Sequence, residues 1–365
     1  MKKLLEEKVL QVIKGSAVNP LLLRGLYLLS RGFEFFVKTK LFLYKKKWIL
    51  SKQAPLPTVC VGNITAGGTG KTPFVNLLLQ DLKSQLRLAV ISTGYKAQGV
   101  SKKEVIKPLD CHGKVVPANY CGDEPALLQR RHPDVEVLIC KDRRLALQEA
   151  YKRKIQVALL DDGFQRKSIK KDLSVILMRA EQLFGNGYYL PRGFLREPPI
   201  ALQEAQFICI TDVEKAQFEN LCQKIRPYSK AKIMGGLLKP VRVKGDKPSS
   251  LEGLCWKKIG VFCGIAHPNN FLRTLENLGA YCVETLFVGD HEVPDRSRWD
   301  SFIQNCLSKQ VELVMCTEKD FVKIEAKSRT LPIGYLEMEY EVCYGLKHYR
   351  VLKQKIYELS KKKKR

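Results

Sequence analysis

The sequence predicts an α/β protein: a P-loop NTPase-like, mostly parallel sheet, a second, smaller α/β domain, and an N-terminal membrane-associated helix. Three observations predict it. Short apolar runs alternate with helical patterns across residues 56–211, as in a parallel sheet covered on both faces. The first of these runs ends in a glycine-rich turn that opens a helix. The alternation restarts after a stretch rich in Lys, Pro, Gly and Ser near residues 239–253.

The chain begins with its most polar-apolar contrast. Of the formal net charge of +26, residues 1–52 carry +9 and residues 345–365 carry +8. The body between them is only moderately basic, so a nucleic-acid binder, which would spread cations along the body, is not expected. Glu6, Glu7 and Lys8 interrupt any signal-peptide core, and no run of about 18 apolar residues occurs. On a helix, Arg24, Arg31, Glu34 and Lys38 fall within about 80° of one another. Leu21, Leu22, Leu26, Leu28, Leu29, Phe33, Phe35, Phe36 and Val37 fill the remaining arc. A wide apolar sector followed by Lys45-Lys46-Lys47-Trp48 suits a bilayer interface, with lysines meeting anionic head groups. The competing reading is a helix packed on the body with its stripe in water.

Next come strands at 56–62, 88–93, 135–140, 156–160, 173–178 and 207–211, with a helix at 72–86 and a loop-rich insertion at 96–121. After the linker, strands are expected at 259–265, 281–287 and 311–317, helices at 268–278 and 294–307, and a helical tail at 346–360. The resulting division is an amphipathic basic segment (1–52), a P-loop core (53–240), a linker (241–254) and a smaller α/β domain with a basic tail (255–365). Twelve scattered cysteines without a CxxC pair read as buried thiols in a reducing compartment.

Two motifs carry chemistry. Thr65-Ala66-Gly67-Gly68-Thr69-Gly70-Lys71-Thr72 lies between a strand and a helix. Its backbone N–H groups and helix N-terminus suit phosphate, Lys71 reaches β/γ-phosphates, and the Thr72 hydroxyl suits Mg²⁺. The strand 157–160 ends in Asp161-Asp162-Gly163, and carboxylates closing a strand beside a P-loop hold Mg²⁺. ATP and Mg²⁺ are therefore the expected nucleotide and cofactor. The Gly122-Asp123-Glu124-Pro125 run reads, on residues alone, as a helix cap.

The ordered set is more specific than any member. It comprises the turn from Val61 to Pro73, Gly122-Asp123-Glu124-Pro125, Asp161-Asp162-Gly163-Phe164-Gln165 and Phe184-Gly185-Asn186-Gly187. It continues with Leu190-Pro191, Gly193-Phe194-Leu195-Arg196-Glu197-Pro198, Asp290-His291 and Thr317-Glu318-Lys319-Asp320. Over about residues 20–322 it resembles the tetraacyldisaccharide 4′-kinases of lipid A biosynthesis, which share the Thr at the first P-loop position. The resemblance implies transfer of the ATP γ-phosphoryl group to the 4′-hydroxyl of tetraacyldisaccharide 1-phosphate, giving lipid IVA. It implies an anionic glycolipid acceptor and work at the cytoplasmic face of the bacterial inner membrane, peripheral or N-terminally anchored. No obligate protein partner is expected. By family position Asp123 is the base, with His291 and Asp290 orienting it and Lys71 on the phosphates. Gln165 would meet the γ-phosphate or a metal-bound water. Arg192 and Arg196 are candidates for the anionic acceptor or the transferring phosphoryl, against solvated loop charge. Residues 317–320 suit either a nucleotide contact or a helix cap. The chain departs from the family pattern at Thr93, where Arg is common, at Arg166 and at Glu292, where His is common. The reading from a different class is a membrane- or RNA-associated P-loop GTPase/ATPase switch, for which the base-reading Asn-Lys-x-Asp motif is missing.

Overall fold

The computed structural model describes residues 20–94, 97–110, 112–265, 268–289, 292–324 and 330–361. These form two compact units: residues 20–90, Leu147–Leu237 and 341–361 in the first, Ile91–Ala146 and Leu238–Tyr340 in the second.

In the first unit the parallel strands Val157–Asp161, Thr58–Gly62, Leu173–Arg179 and Phe207–Thr211 pair in that order. Strand Thr58–Gly62 is buried throughout, as are its neighbour Val157–Asp161 and Phe207–Thr211. That is why these stretches read as continuous apolar runs rather than as alternation. The register sets Val61 beside Asp161, so the strand that opens the glycine-rich turn and the strand that ends in the acid pair finish at the same edge. Helix Lys71–Leu82 covers them through buried Phe74, Val75, Leu78 and Leu79.

The helix Pro20–Lys45 meets this unit along a narrow face. Leu26, Ser30 and Val37 are buried. The Ser30 hydroxyl donates to the Tyr189 carbonyl at 2.8 Å, and Val37 packs with Tyr189 and Leu195. The opposite face is apolar and bare: Leu28 is 70% exposed, Phe35 74% and Phe36 65%, with Leu21 and Leu29 alongside. The helix is therefore packed along one stripe and leaves an apolar one uncovered. No described helix is long and apolar enough to cross a membrane.

The second unit is a smaller parallel sheet in the order Tyr281–Phe287, Lys258–Cys263, Leu313–Thr317, Ile333–Tyr344. Its core gathers Phe262, Trp299, Phe302, Ile303 and Ile324. Helices Asp123–Arg131 and Glu318–Ile324 belong to it.

The partition differs from the division expected from sequence in three places. Residues 91–146 lie in the second unit, not in the P-loop core. Residues 241–245, expected to start a linker, continue strand Lys232–Gly245. Their cations are strand side chains: Arg242 and Lys244 both pair with Glu337, and Val243 between them is buried. Helix Leu346–Lys361, expected in the smaller domain, belongs to the first unit. It buries Tyr349, Leu352 and Ile356, and Tyr349 and Lys353 donate to Asp81 of helix Lys71–Leu82 at 3.0 and 2.7 Å.

Candidate functional site

The phosphate-binding turn is built on two requirements for glycine. Gly70 caps helix Lys71–Leu82 in the left-handed region (φ 78°), which aims the first helical N–H groups into the turn. At Gly62 a Cβ would lie 2.6 Å from Cβ of Phe164, so only glycine lets the strand approach the acid motif this closely. Thr65, Thr69 and Thr72 are buried, whereas Gly67 and Gly68 face solvent, leaving their backbone open to a ligand.

Asn63, fully buried, organises the turn. Its Nδ2 donates to the Thr69 hydroxyl at 3.0 Å, its Oδ1 accepts from Arg196 Nη1 at 3.1 Å, and its carbonyl accepts from Gln165 Nε2 at 2.6 Å. The segment 194–196 is stitched to the turn by Ala66 N–H to the Phe194 carbonyl (2.7 Å) and Arg196 N–H to the Ile64 carbonyl (2.8 Å). Sequence reading gave Asn63 no role; an amide at the end of a buried strand, just before a glycine-rich turn, was the available signal.

The acid pair faces the cations of the turn. Asp162 has a positive φ of 49°, a conformation that costs a non-glycine residue about 1 kcal/mol and that persists where the surroundings impose it. Its carboxylate lies 3.7 Å from Lys71 Nζ and 3.0 Å from Arg196 Nη1. Asp161 is 3% exposed. Two carboxylates and the Thr72 hydroxyl are hard oxygen donors that suit Mg²⁺, which binds through one or two carboxylates plus phosphate oxygens rather than in an all-protein cage. Among the described residues no group of three or more His, Cys, Asp or Glu is placed to hold a metal ion.

The remaining candidates separate. Gln165 is tied to Asn63 through its amide nitrogen, and its Oε1 is buried without a hydrogen-bond partner. Arg196 is at the turn. Arg192 instead stacks on Tyr188 (3.8 Å to the ring centre) and approaches Tyr27 of the N-terminal helix (5.0 Å). Arg166 is exposed. A further pair that sequence reading passed over lies beside Gln165. Glu197 is fully buried with neither carboxylate oxygen hydrogen-bonded, and Lys40 Nζ sits 3.8 Å away while donating to the Gln165 carbonyl. Burial pushes the Glu197 carboxyl up from its ordinary range and the Lys40 ammonium down.

In the second unit, Asp123 is the first residue of helix Asp123–Arg131. The cap reading put Asp123 at the N-cap; the structure puts Gly122 there and Asp123, with Glu124, in the acidic first turn. Asp123 Oδ2 lies 3.3 Å from Lys323 Nζ, and both side chains are largely buried. Helix Glu318–Ile324 docks on helix Asp123–Arg131 through two further ion pairs, Lys319 with Glu124 (3.2 Å) and Arg131 with Glu318. Of the two readings of residues 317–320, the structure gives the cap: Asp320 N–H donates to the Thr317 hydroxyl, which donates back to the Asp320 carboxylate. Burial pushes the neighbouring Cys121 thiol up to about 12, so it is not a nucleophile at neutral pH. Asp290 and His291 lie outside the described residues.

Comparison with known proteins places this geometry. The family profile of LpxK, tetraacyldisaccharide-1-P 4′-kinase, matches residues 22–357. A tetraacyldisaccharide 4′-kinase of Elusimicrobium minutum is 37% identical over 317 residues, covering 84% of this chain and 83% of that protein. That of Syntrophus aciditrophicus is 33% identical over 335 residues, covering 86% and 89%. The crystal structure of "apo" form LpxK from Aquifex aeolicus in complex with ATP shares the fold at a TM-score of 0.72 and 24% identity, over 93% of this chain and 99% of that one. With its P-loop, acid pair and Asp123 segment within the matched span, the chain belongs to the tetraacyldisaccharide-1-P 4′-kinase family.

Proposed function

We propose that this chain transfers the γ-phosphoryl group of ATP to the 4′-hydroxyl of tetraacyldisaccharide 1-phosphate, forming lipid IVA in lipid A biosynthesis. The observation that carries it is the P-loop turn, with Lys71 and the Asp161–Asp162 pair at one sheet edge, in a chain of this family. Phosphoryl transfer asks little covalent chemistry of the protein; it asks for positioning and charge.

Backbone N–H groups of 67–70 receive the β- and γ-phosphates, with Lys71 on their negative charge. Thr72, Asp161 and Asp162 would hold Mg²⁺, which would supply neutralisation of phosphate charge. Arg196 exchanges Asp162 for a phosphate oxygen, to which its guanidinium fork is suited. The acceptor hydroxyl oxygen bonds to the γ-phosphorus as the bond to the β–γ bridging oxygen breaks, and ADP leaves with that electron pair. Asp123 takes the hydroxyl proton, with Asp290 and His291 orienting it. The bare apolar face of helix Pro20–Lys45 seats the enzyme peripherally on the inner membrane, where an acceptor with four acyl chains resides.

The test is incubation with Mg²⁺, ATP labelled in the γ-phosphate, and tetraacyldisaccharide 1-phosphate. Label on the lipid is the expected result. ATP hydrolysis stimulated by RNA, with no label on lipid, would overturn the reading in favour of a switch.

A further inference from the structure

We infer that Lys323 is a positioning residue for the proton acceptor, and that it works as the middle of a buried three-group cluster, Asp123–Lys323–Asp320. The inference rests on the reading of Asp123 as the base and adds two residues to it.

The Lys323 side chain is 4% exposed, and its Nζ lies 3.3 Å from Asp123 Oδ2 and 3.0 Å from Asp320 Oδ1. Asp320 is wholly buried and fixed. Its Oδ2 accepts the Gly264 backbone N–H at 2.9 Å and the Thr317 hydroxyl at 2.7 Å. A Cβ on Gly264 would come within 2.9 Å of Asp320 and 3.2 Å of the Glu292 carbonyl, so a glycine is needed where these parts meet. Gly289 and Glu292 close a turn on each other, Gly289 N–H to the Glu292 carboxylate at 2.8 Å and Glu292 N–H to the Gly289 carbonyl at 2.9 Å. Asp320 thus anchors the ammonium from behind, and the ammonium sets the direction of the Asp123 carboxylate.

The charge count explains why two carboxylates share one ammonium. A simple Lys–Asp pair would hold its carboxylate as a poor base, because the cation favours the ionised form. With Asp320 added, the cluster carries a net charge of −1 in a poorly hydrated place. A proton arriving on Asp123 leaves the neutral Lys323–Asp320 pair, so proton transfer relieves charge rather than creating it. Ion-pair geometry alone would be satisfied by a structural staple, as Arg131–Glu318 is on the same two helices. The Arg131 staple has Glu318 in direct contact and Glu337 only at longer electrostatic range, whereas Lys323 touches two carboxylates.

A double-mutant cycle separates the two roles. Lys323→Met and Asp320→Asn are each made alone and on Asp123→Asn, and kcat and KM for ATP and the lipid acceptor are measured in detergent. Asp123→Asn is expected to lower kcat about 10²–10⁴-fold, the scale of a general base. Lys323→Met is expected to lower kcat about 10–100-fold, the scale of a group that orients a working side chain, with both KM values within about threefold. On Asp123→Asn, neither second change should move the residual rate more than about twofold. Near-parental turnover by Asp123→Asn overturns the base reading and this inference with it. A large loss for Asp123→Asn with kcat unchanged in a cooperatively melting Lys323→Met overturns this inference alone. If Lys323→Met does not melt cooperatively, Asp320→Asn, which keeps the side-chain shape, decides by the same criterion.

Discussion

Glu197 is fully buried beside the P-loop motif, with two unsatisfied oxygens and one ammonium at 3.8 Å. Burial raises its folded-state pKa above the ordinary 4.5, so between those two values the folded chain holds a proton that the unfolded chain has lost. Stability is then fullest at acid pH and falls as pH rises through the folded value. Glu197→Gln should raise stability by about 1–3 kcal/mol at pH 8, and the gain should shrink toward pH 4. Urea unfolding at the two pH values measures it; a variant less stable at pH 8 would show that Lys40 compensates the charge fully. Groups kept at such a cost cluster at working sites. At this scale the sequence was legible where a motif dictates backbone: the turn 65–72 and the acid pair could be placed because phosphate binding needs that order of residue types. Asn63, Glu197 and Lys323 could not, because their meaning is set by partners 102, 157 and 200 positions away, at Gln165, Lys40 and Asp123.

Helix Pro20–Lys45 shows how far a single element can be read. Its periodicity announced an apolar sector beside a charged stripe, and the structure divides the uncharged arc: Leu26, Ser30 and Val37 inward; Leu28, Phe35 and Phe36 outward. What periodicity lacked was the choice of apolar residues for packing, since Val37 and Phe36 are equally hydrophobic on paper. Tyr189 and Leu195 make that choice. The combined change Leu28→Glu, Phe35→Glu and Phe36→Glu should weaken binding to anionic lipid vesicles at least about tenfold, because each removes an apolar side chain worth about 1.5–3 kcal/mol when fully buried. The melting temperature should move little, these side chains being bare in the folded protein. Vesicle sedimentation and a thermal melt check both; a large drop in melting temperature would mean that the face is covered. Helix Leu346–Lys361 was recognised as a helix but given the wrong neighbours, because its partner Asp81 is distant in sequence.

At the scale of the whole molecule, the chain crosses between units three times within strands, in Leu88–Ser92, Lys232–Gly245 and Ile333–Tyr344, and once within helix Arg143–Lys152. Composition suggested two consecutive domains, since a Lys- and Pro-rich run resembles a linker. Pairing of Arg242 and Lys244 with Glu337 overrules it. The fragments 1–240 and 241–365 should therefore fail to fold separately: the cut falls inside a strand and strips the first fragment of Tyr349, Leu352 and Ile356. Circular dichroism melts of each fragment provide the check, and a cooperative transition in either would restore the serial arrangement. The uncovered helix face has a consequence for how rates must be counted. An enzyme held on a surface meets a lipid acceptor by diffusion in two dimensions, so the quantity that governs encounter is acceptor per unit area. Diluting the acceptor with inert phospholipid, at fixed bulk concentration, should then slow turnover in proportion to its mole fraction. A rate indifferent to that dilution would mean that the acceptor is taken from water.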